Sequence, residues 1–252
     1  MHDHLKTAVI TGGTKGIGAA VAEAFYHNGY AVVVCGRADN GFARTMGRGV
    51  FFVKADVGKP AQIRALMAKV MRLTGRIDVL VNCAGFSQWK ALEDIEVKFL
   101  DRMMDVNLKG MFWSIQAALP YLKAGAGIVN IASLAGKRGS AHNSAYCAAK
   151  FGVVGLTQAL AKELGPRGIR VNAVFPVYVP TDGVLKALRE PSSPAGGKNV
   201  SAYLQQFTLD QTALKRLPTP KEVAQVCLFL ASGAASAVTG QSLNVDCGVL
   251  PQ

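Results

Sequence analysis

The sequence predicts an α/β protein, one domain built on a doubly wound parallel sheet of about seven strands. Three observations predict it. Short strand-sized runs alternate with helix-length runs along the chain. Several of the short runs, such as YAVVVC (30–35) and GIVNIA (127–132), are apolar almost throughout, as strands buried on both faces are. A glycine turn joins the first of these strands to the first helix.

The elements follow in order. LKTAVIT (5–11) is a short β-rich run. Over 17–27, Ile17, Val21, Ala24 and Phe25 fall on one face at helical spacing. Residues 30–35 and 50–53 are strands, and the crossover between them is short and glycine-rich, so any helix there is brief. Pro60 stands where proline is tolerated at a helix start. Behind it Ile63, Leu66, Met67, Val70 and Met71 keep the helical pattern. IDVLV (77–81) is the next strand, followed by a helix expected from about 106 to 122 and the strand 127–132. The run 144–164 is helical and stops at Gly165-Pro166. Strand 169–175, helix 221–231 and strand 242–245 close the chain, with no linker or internal repeat in 1–252. Residues 181–220 form a long insertion in which 184–189 and 200–209 read as short helices. It departs from a strand's C-terminal end, where ligands gather, and is expected to be a substrate lid; the plainer alternative is a surface loop.

Composition narrows the function classes. The chain is 50% hydrophobic and 17% charged, ample for a buried core and contrary to disorder. No apolar run approaches the roughly 20 residues of a membrane span. The start, MHDHLKTAVIT, lacks the zones of a signal peptide, so a cytoplasmic protein is expected. Cys35, Cys83, Cys147, Cys227 and Cys247 are dispersed and odd in number, as reduced core thiols are. His2 and His4 lie at the terminus, and no ligand spacing suggests a metal site. The net charge of +12 is spread without a basic block or interleaved aromatics, which fits a basic soluble surface better than a nucleic-acid groove or a membrane face. A few of these charges could bind phosphate.

Chemistry is concentrated at the strand ends. TGGTKGIG (11–18) places Gly12, Gly16 and Gly18 in a GxxxGxG turn, with Thr14, Lys15 and Ile17 completing the loop. Such a turn lets backbone approach a pyrophosphate at a helix N-terminus. At the end of the second strand, the acid that would accept ribose hydroxyls is replaced by Gly36, followed by Arg37. Arg37 and Lys15 suit a 2′-phosphate, pointing to NADP(H), with NAD(H) the alternative. Asp39 complicates this, since it could swing in and pair with Arg37. Asp56-Val57 follows the third strand, where an Asp can accept from adenine or simply cap the Pro60 helix. NCAG follows the fourth, with Asn82, Ala84 and Gly85 leaving room for a flat ribose or nicotinamide.

TGGTKGIG, NCAG, Asn107, Ser133 and YCAAK (146–150), in this order, resemble the short-chain dehydrogenase/reductase family in its compact form, across nearly the whole chain. The resemblance implies a seven-stranded Rossmann fold, a nicotinamide cofactor, and a homotetramer or homodimer. It implies that Asn107, Ser133, Tyr146 and Lys150 are the catalytic set, Tyr146 and Lys150 also meeting the cofactor. Asn107 would fix a water that relays protons to Lys150. Pro176 and Thr181 match positions that hold the nicotinamide end. The residues make sense on their own terms. Tyr146 and Lys150, four apart on a helix, share a face. A lysine cation is expected to lower the tyrosine from its usual value of about 10. Ser133 can bond a substrate carbonyl oxygen, to which Tyr146 gives a proton while NADPH gives hydride. The chain departs from the family pattern at Cys83, within NCAG, and at Pro176-Val177, where the pattern has glycine. Valine disfavours the φ > 0 region, so the loop is expected to take a different course.

The first expectation is therefore an NADPH-dependent carbonyl reductase. An NAD(P)-dependent polyol or secondary-alcohol dehydrogenase is the second, and an NADP(H)-sensing scaffold without turnover the third. The substrate pocket is expected to draw on Phe86, Ser87, Gln88, Trp89, His142 and Tyr178 together with the lid. Ser, Gln and His suit hydroxylated or sugar-like ketones, whereas the aromatics suit acyl chains. A carrier-linked 3-oxoacyl substrate ranks lower, because YLKAGAG offers only Lys123 as a docking cation.

Overall fold

A computed structural model describes residues 5–197 and 199–251. Its seven parallel strands are β1 (Thr7–Thr11), β2 (Ala31–Gly36), β3 (Val50–Lys54), β4 (Ile77–Asn82), β5 (Leu122–Ile131), β6 (Arg170–Pro176) and β7 (Ser242–Val245). They lie in the order β3, β2, β1, β4, β5, β6, β7. The order reverses between β1 and β4, so the two halves of the sheet wind outward from that point.

Strand alternation divides the core. Ala8 and Ile10 of β1 join Val32, Val34, Val79, Val81, Val129 and Val174 on one face, beneath α1 (Gly16–His27) and α9 (Pro220–Ala231). Val9, Val33, Leu80 and Ile128 point the other way, beneath α3 (Pro60–Thr74), α5 (Gly110–Ala118) and α6 (Ser144–Leu164). Between β2 and β3 runs only α2 (Phe42–Met46), the brief helix expected there.

The expected single helix over 106–122 is not continuous. A helix not foreseen, α4 (Val97–Met104), leads into a π turn at Asp105–Lys109 before α5 begins. Leu122 then belongs to β5, where it pairs with Ile77 across a register shift in β4. Such turns insert one residue and locally re-aim side chains.

The 181–220 insertion contains α7 (Asp182–Leu188) and α8 (Val200–Gln211). Leu188 and Leu204 bury against Ala187, Ala195 and Trp89. The return into α9 is fixed by a capping box: Thr219 accepts from Glu222 N–H and Glu222 from Thr219 N–H, while Arg216 forks onto the same carboxylate. Among the described residues, no helix is long and apolar enough to cross a membrane. His2 and His4 lie outside the described residues.

Candidate active site

The site lies along the C-terminal edge of the sheet. Gly12 turns out of β1 at φ +67°, and a Cβ there would come within 2.8 Å of Ala84 Cα. The glycine turn and the NCAG segment are thus in backbone contact, and Thr11 Oγ1 accepts from both Cys83 N–H (3.1 Å) and Ala84 N–H (3.2 Å). Thr181 caps α7, and its Cβ would lie 3.5 Å from a methyl on Gly16. The start of the insertion therefore faces the glycine turn. Thr14 and Ile17 are partly exposed and Lys15 and Gly16 exposed along this rim, while Gly18 is buried where α1 sits against the turn.

At β2, Gly36 lies beside Thr14, and Arg37 is exposed. Asp39 does not pair with Arg37. Its Oδ2 accepts from Arg44 at 2.8 Å, and its Oδ1 accepts from Gly41 N–H at 2.8 Å. The Asp56 Oδ1 accepts from Gly58 N–H at 3.0 Å in the turn before α3, but it does not cap that helix, whose N-cap is Lys59 with no side-chain cap bond. Val57 is buried with its side chain against Gly110, so only its backbone is left for a cofactor.

Asn82 was expected at the cofactor, but its amide is turned into the sheet. Asn82 Nδ2 donates to Asn130 Oδ1 (2.9 Å), and Asn130 Nδ2 donates to Thr157 Oγ1 (3.0 Å). All three side chains are buried, and they tie β4 and β5 to the middle of α6. Sequence reading missed Asn130 and Thr157. The available signal was an amide inside the apolar run GIVNIA, since a buried amide needs a partner.

Ser133, two residues beyond β5, opens a 3-10 turn at Leu134–Gly136 and accepts from Ala135 N–H at 3.2 Å. α6 lies against this turn so closely that a Cβ on Gly136 would be 2.5 Å from the carbonyl oxygen of Lys150. Tyr146 and Lys150 do share a face, with Lys150 Nζ 5.6 Å from the tyrosine ring centroid. Lys150 is buried and donates to Ile131 O at 3.0 Å. Burial lowers its ammonium to about 8.

Tyr146 behaves differently from expectation. Burial pushes its phenol up to about 12, and what opposes this is the nearby Ser133 hydroxyl, not Lys150. Lys150 Nζ stands over the tyrosine ring, and its charge is not among the causes that shift the phenol.

Asn107 sits in the π turn, fully buried. Its Nδ2 donates to Met103 O (3.1 Å) and Met103 Sδ (3.0 Å), and its Oδ1 accepts from Phe86 N–H (3.2 Å). Both ends of the amide bond protein atoms, with Oδ1 accepting a single bond. Asn107 Oδ1 and Lys150 Nζ both flank Gly85.

The expected substrate residues separate. Ser87 and Gln88 lie half-buried in the loop after β4. That loop is joined to the other wall of the site where Lys90 N–H donates to the carbonyl of His142, itself exposed at φ +57°. Phe86 is half-buried beneath the Arg102 guanidinium, 5.0 Å away. Trp89 does not line an open pocket but is buried against the insertion helices. Tyr178 shares a hydroxyl hydrogen bond with Tyr203 of α8 (3.1 Å) and an edge contact with Phe207. Beyond Pro176, Val177 avoids positive φ and donates its N–H to Val245 O, extending the pairing of β6 with β7. A cleft of about 620 Å³ opens between α7 and α8, lined by Leu185, Val200, Leu204 and Leu217 and edged by Arg189, away from the catalytic candidates.

The comparisons with known proteins agree with this fold. A family model described as enoyl-(acyl carrier protein) reductase matches residues 12–250. A 3-oxoacyl-(acyl-carrier-protein) reductase of Chlamydia muridarum is 35% identical over 253 residues, 97% of each chain. The chain belongs to the short-chain dehydrogenase/reductase family. Within it, a D-beta-hydroxybutyrate dehydrogenase of Rhizobium meliloti is 36% identical over 258 residues, 96% of this chain and 98% of the relative. A solved variant of actinorhodin polyketide ketoreductase with NADPH superposes at a TM-score of 0.88 with 34% identity, covering 97% of each chain. As a short-chain dehydrogenase/reductase, the protein is an oxidoreductase acting on carbonyl or hydroxyl groups. Its strand-end cleft fits the family's nicotinamide cofactor. Gly12 lets the turn pack directly against Ala84, where a side chain would collide, and Thr181 lies beside Gly16. Among the described residues, no group of three or more His, Cys, Asp or Glu could hold a metal ion.

Proposed function

We propose that the protein is an NADPH-dependent reductase of small-molecule ketones, with Ser133, Tyr146 and Lys150 as its catalytic residues and Asn107 as the residue that holds their surroundings. The observation that carries this reading is the meeting of Ser133, Tyr146 and Lys150 at the strand edge beside the glycine turn. The bound nicotinamide supplies the hydride. Ser133 Oγ orients the substrate carbonyl oxygen, and Tyr146, a phenol held protonated by burial, passes its proton to that oxygen. Lys150 holds cationic charge at the ribose side of the site, anchored on Ile131 O. Asn107 keeps the Phe86 loop against the π turn, which sets the distance between that loop and Lys150.

Arg37 and Lys15 support NADP(H) over NAD(H), since no acid competes at the end of β2 once Asp39 is paired with Arg44. The insertion reads as a lid, packed on Trp89 and closing over the substrate through Tyr178 and Tyr203. Its apolar lining favours a 3-oxoacyl compound, in keeping with the relatives' names, and Ser87, Gln88 and His142 leave a hydroxylated ketone as the other class. Leu100, Phe112 and Phe151, exposed on α4, α5 and α6, support a homodimer or homotetramer built on these helices.

A second reading, a secondary-alcohol dehydrogenase, is favoured by the hydroxybutyrate dehydrogenase relative. The test is a panel of 3-oxoacyl thioesters, hydroxylated ketones and polyols with each of the four nicotinamide nucleotides, followed by absorbance. Ketone reduction with NADPH above all other pairings is the expected outcome. Turnover confined to alcohols with NAD would establish the second reading instead.

A further inference from the structure

Between Gly36 and Ala55 the chain has one acid, Asp39, among four cations, Arg37, Arg44, Arg48 and Lys54. A free carboxylate two residues beyond Arg37 would work against a 2′-phosphate. It could take up Arg37 or accept ribose hydroxyls itself, and it would repel the phosphate. The structure disposes of that carboxylate. One oxygen accepts from Gly41 N–H and the other from Arg44 Nη1, both at 2.8 Å. The segment is also laced at both ends by Asn40, whose Nδ2 donates to Thr14 O in the glycine turn (2.9 Å) and whose Oδ1 accepts from Phe42 N–H at the start of α2 (3.2 Å). Asp39 is therefore drawn toward α2 while its neighbour ties the loop to the phosphate turn.

We infer that Arg44 is a specificity-determining residue of the cofactor site that acts through Asp39, holding that carboxylate so that Arg37 stays available to a nucleotide 2′-phosphate. The inference rests on the NADP(H) reading above and deepens it. Arg44 is a positioning residue, on the helix that follows the binding loop and not on the loop itself. The Arg44 and Asp39 side chains are 76% and 37% exposed, so the ion pair alone is weak and screened by salt. The Gly41 N–H bond adds to it, which makes the expected effect modest.

The experiment measures binding of 2′,5′-ADP and of 5′-AMP to the full chain by calorimetry at low salt, in the native protein and in Arg44→Ala, Arg44→Lys, Asp39→Asn and the Asp39→Asn/Arg44→Ala pair. The native chain prefers 2′,5′-ADP. Arg44→Ala narrows the preference by about fivefold, as one badly placed surface charge does. Arg44→Lys retains most of the preference, and adding Asp39→Asn to Arg44→Ala restores it. An unchanged ratio in Arg44→Ala overturns the inference. So does a double variant as poor as Arg44→Ala, because Arg44 would then be gripping the phosphate directly. Absence of any 2′-phosphate preference in the native chain overturns the NADP(H) reading itself, an outcome visible before any variant is compared.

Discussion

A phenol pushed up to about 12 keeps its proton across the whole working range, so in the proposed reaction Tyr146 would approach a ketone already carrying the proton it gives. Tyr146→Phe removes that proton and little volume. Turnover is expected to fall by about 10²–10⁴-fold or more, with nucleotide binding by fluorescence titration unchanged. In the proposed mechanism Lys150 sets the pH dependence. Its ammonium is lowered to about 8, so the residue is charged below that value and neutral above it. For ketone reduction, kcat/KM is expected to be level on the acid side and to fall above about pH 8, well before Tyr146 titrates. A profile level through the ordinary lysine range would deny Lys150 its charged role. At this scale the proximity of the candidate residues was legible and their electrostatics were not. Motif order put Ser133, Tyr146 and Lys150 together, but the i, i+4 spacing cannot say whether a lysine nitrogen meets a tyrosine's ring or its hydroxyl. Here Nζ stands over the ring, and desolvation dominates the phenol, opposed by the Ser133 hydroxyl.

The elements hold these side chains through two close fits. The first is Gly136 against the backbone of Lys150, where a methyl group would collide with main-chain atoms that cannot swing aside. Gly136→Ala is expected to part the Ser133 turn from α6, lowering kcat far more than it lowers the melting temperature; equal losses in both would point to general unfolding. The second is the Asn82–Asn130–Thr157 chain, which fastens α6 to β4 and β5. Asn130→Ala leaves two buried groups without partners and is expected to cost about 1–3 kcal/mol in urea unfolding. Helix α6 was read from the sequence with its true bounds, because small residues and a Gly-Pro stop mark it clearly. α4 was missed and its neighbour overextended, since the π turn hides the break inside an unbroken helical pattern. Trp89 was misplaced because a tryptophan beside a site motif can equally bury itself under an insertion, and here the insertion helices supply the cover.

Over the whole molecule, exposed Leu100, Phe112 and Phe151 stand on three helices of one layer, an arrangement that asks for a second copy. Sedimentation at micromolar concentration is expected to give at least twice the mass of one chain, and Phe112→Glu with Phe151→Glu to reduce it. A native monomer would remove the assembly from the proposal. The order of the sheet was legible because buried parallel strands must alternate with helices, whereas the shape of the 181–220 insertion depended on contacts distant in sequence, such as Tyr178 with Tyr203. That strand order also governs when the protein becomes active. β1 is central but must wait for β4 to cover its second edge, and β6 is not flanked until β7, almost the last segment, pairs beside it. Every pairing is parallel and non-local, the kind that closes slowly. A chain emerging from the ribosome would thus assemble its nucleotide half first, while the wall carrying Val177 stays unsupported until Val245 arrives. On refolding, affinity for nucleotide should return before turnover does.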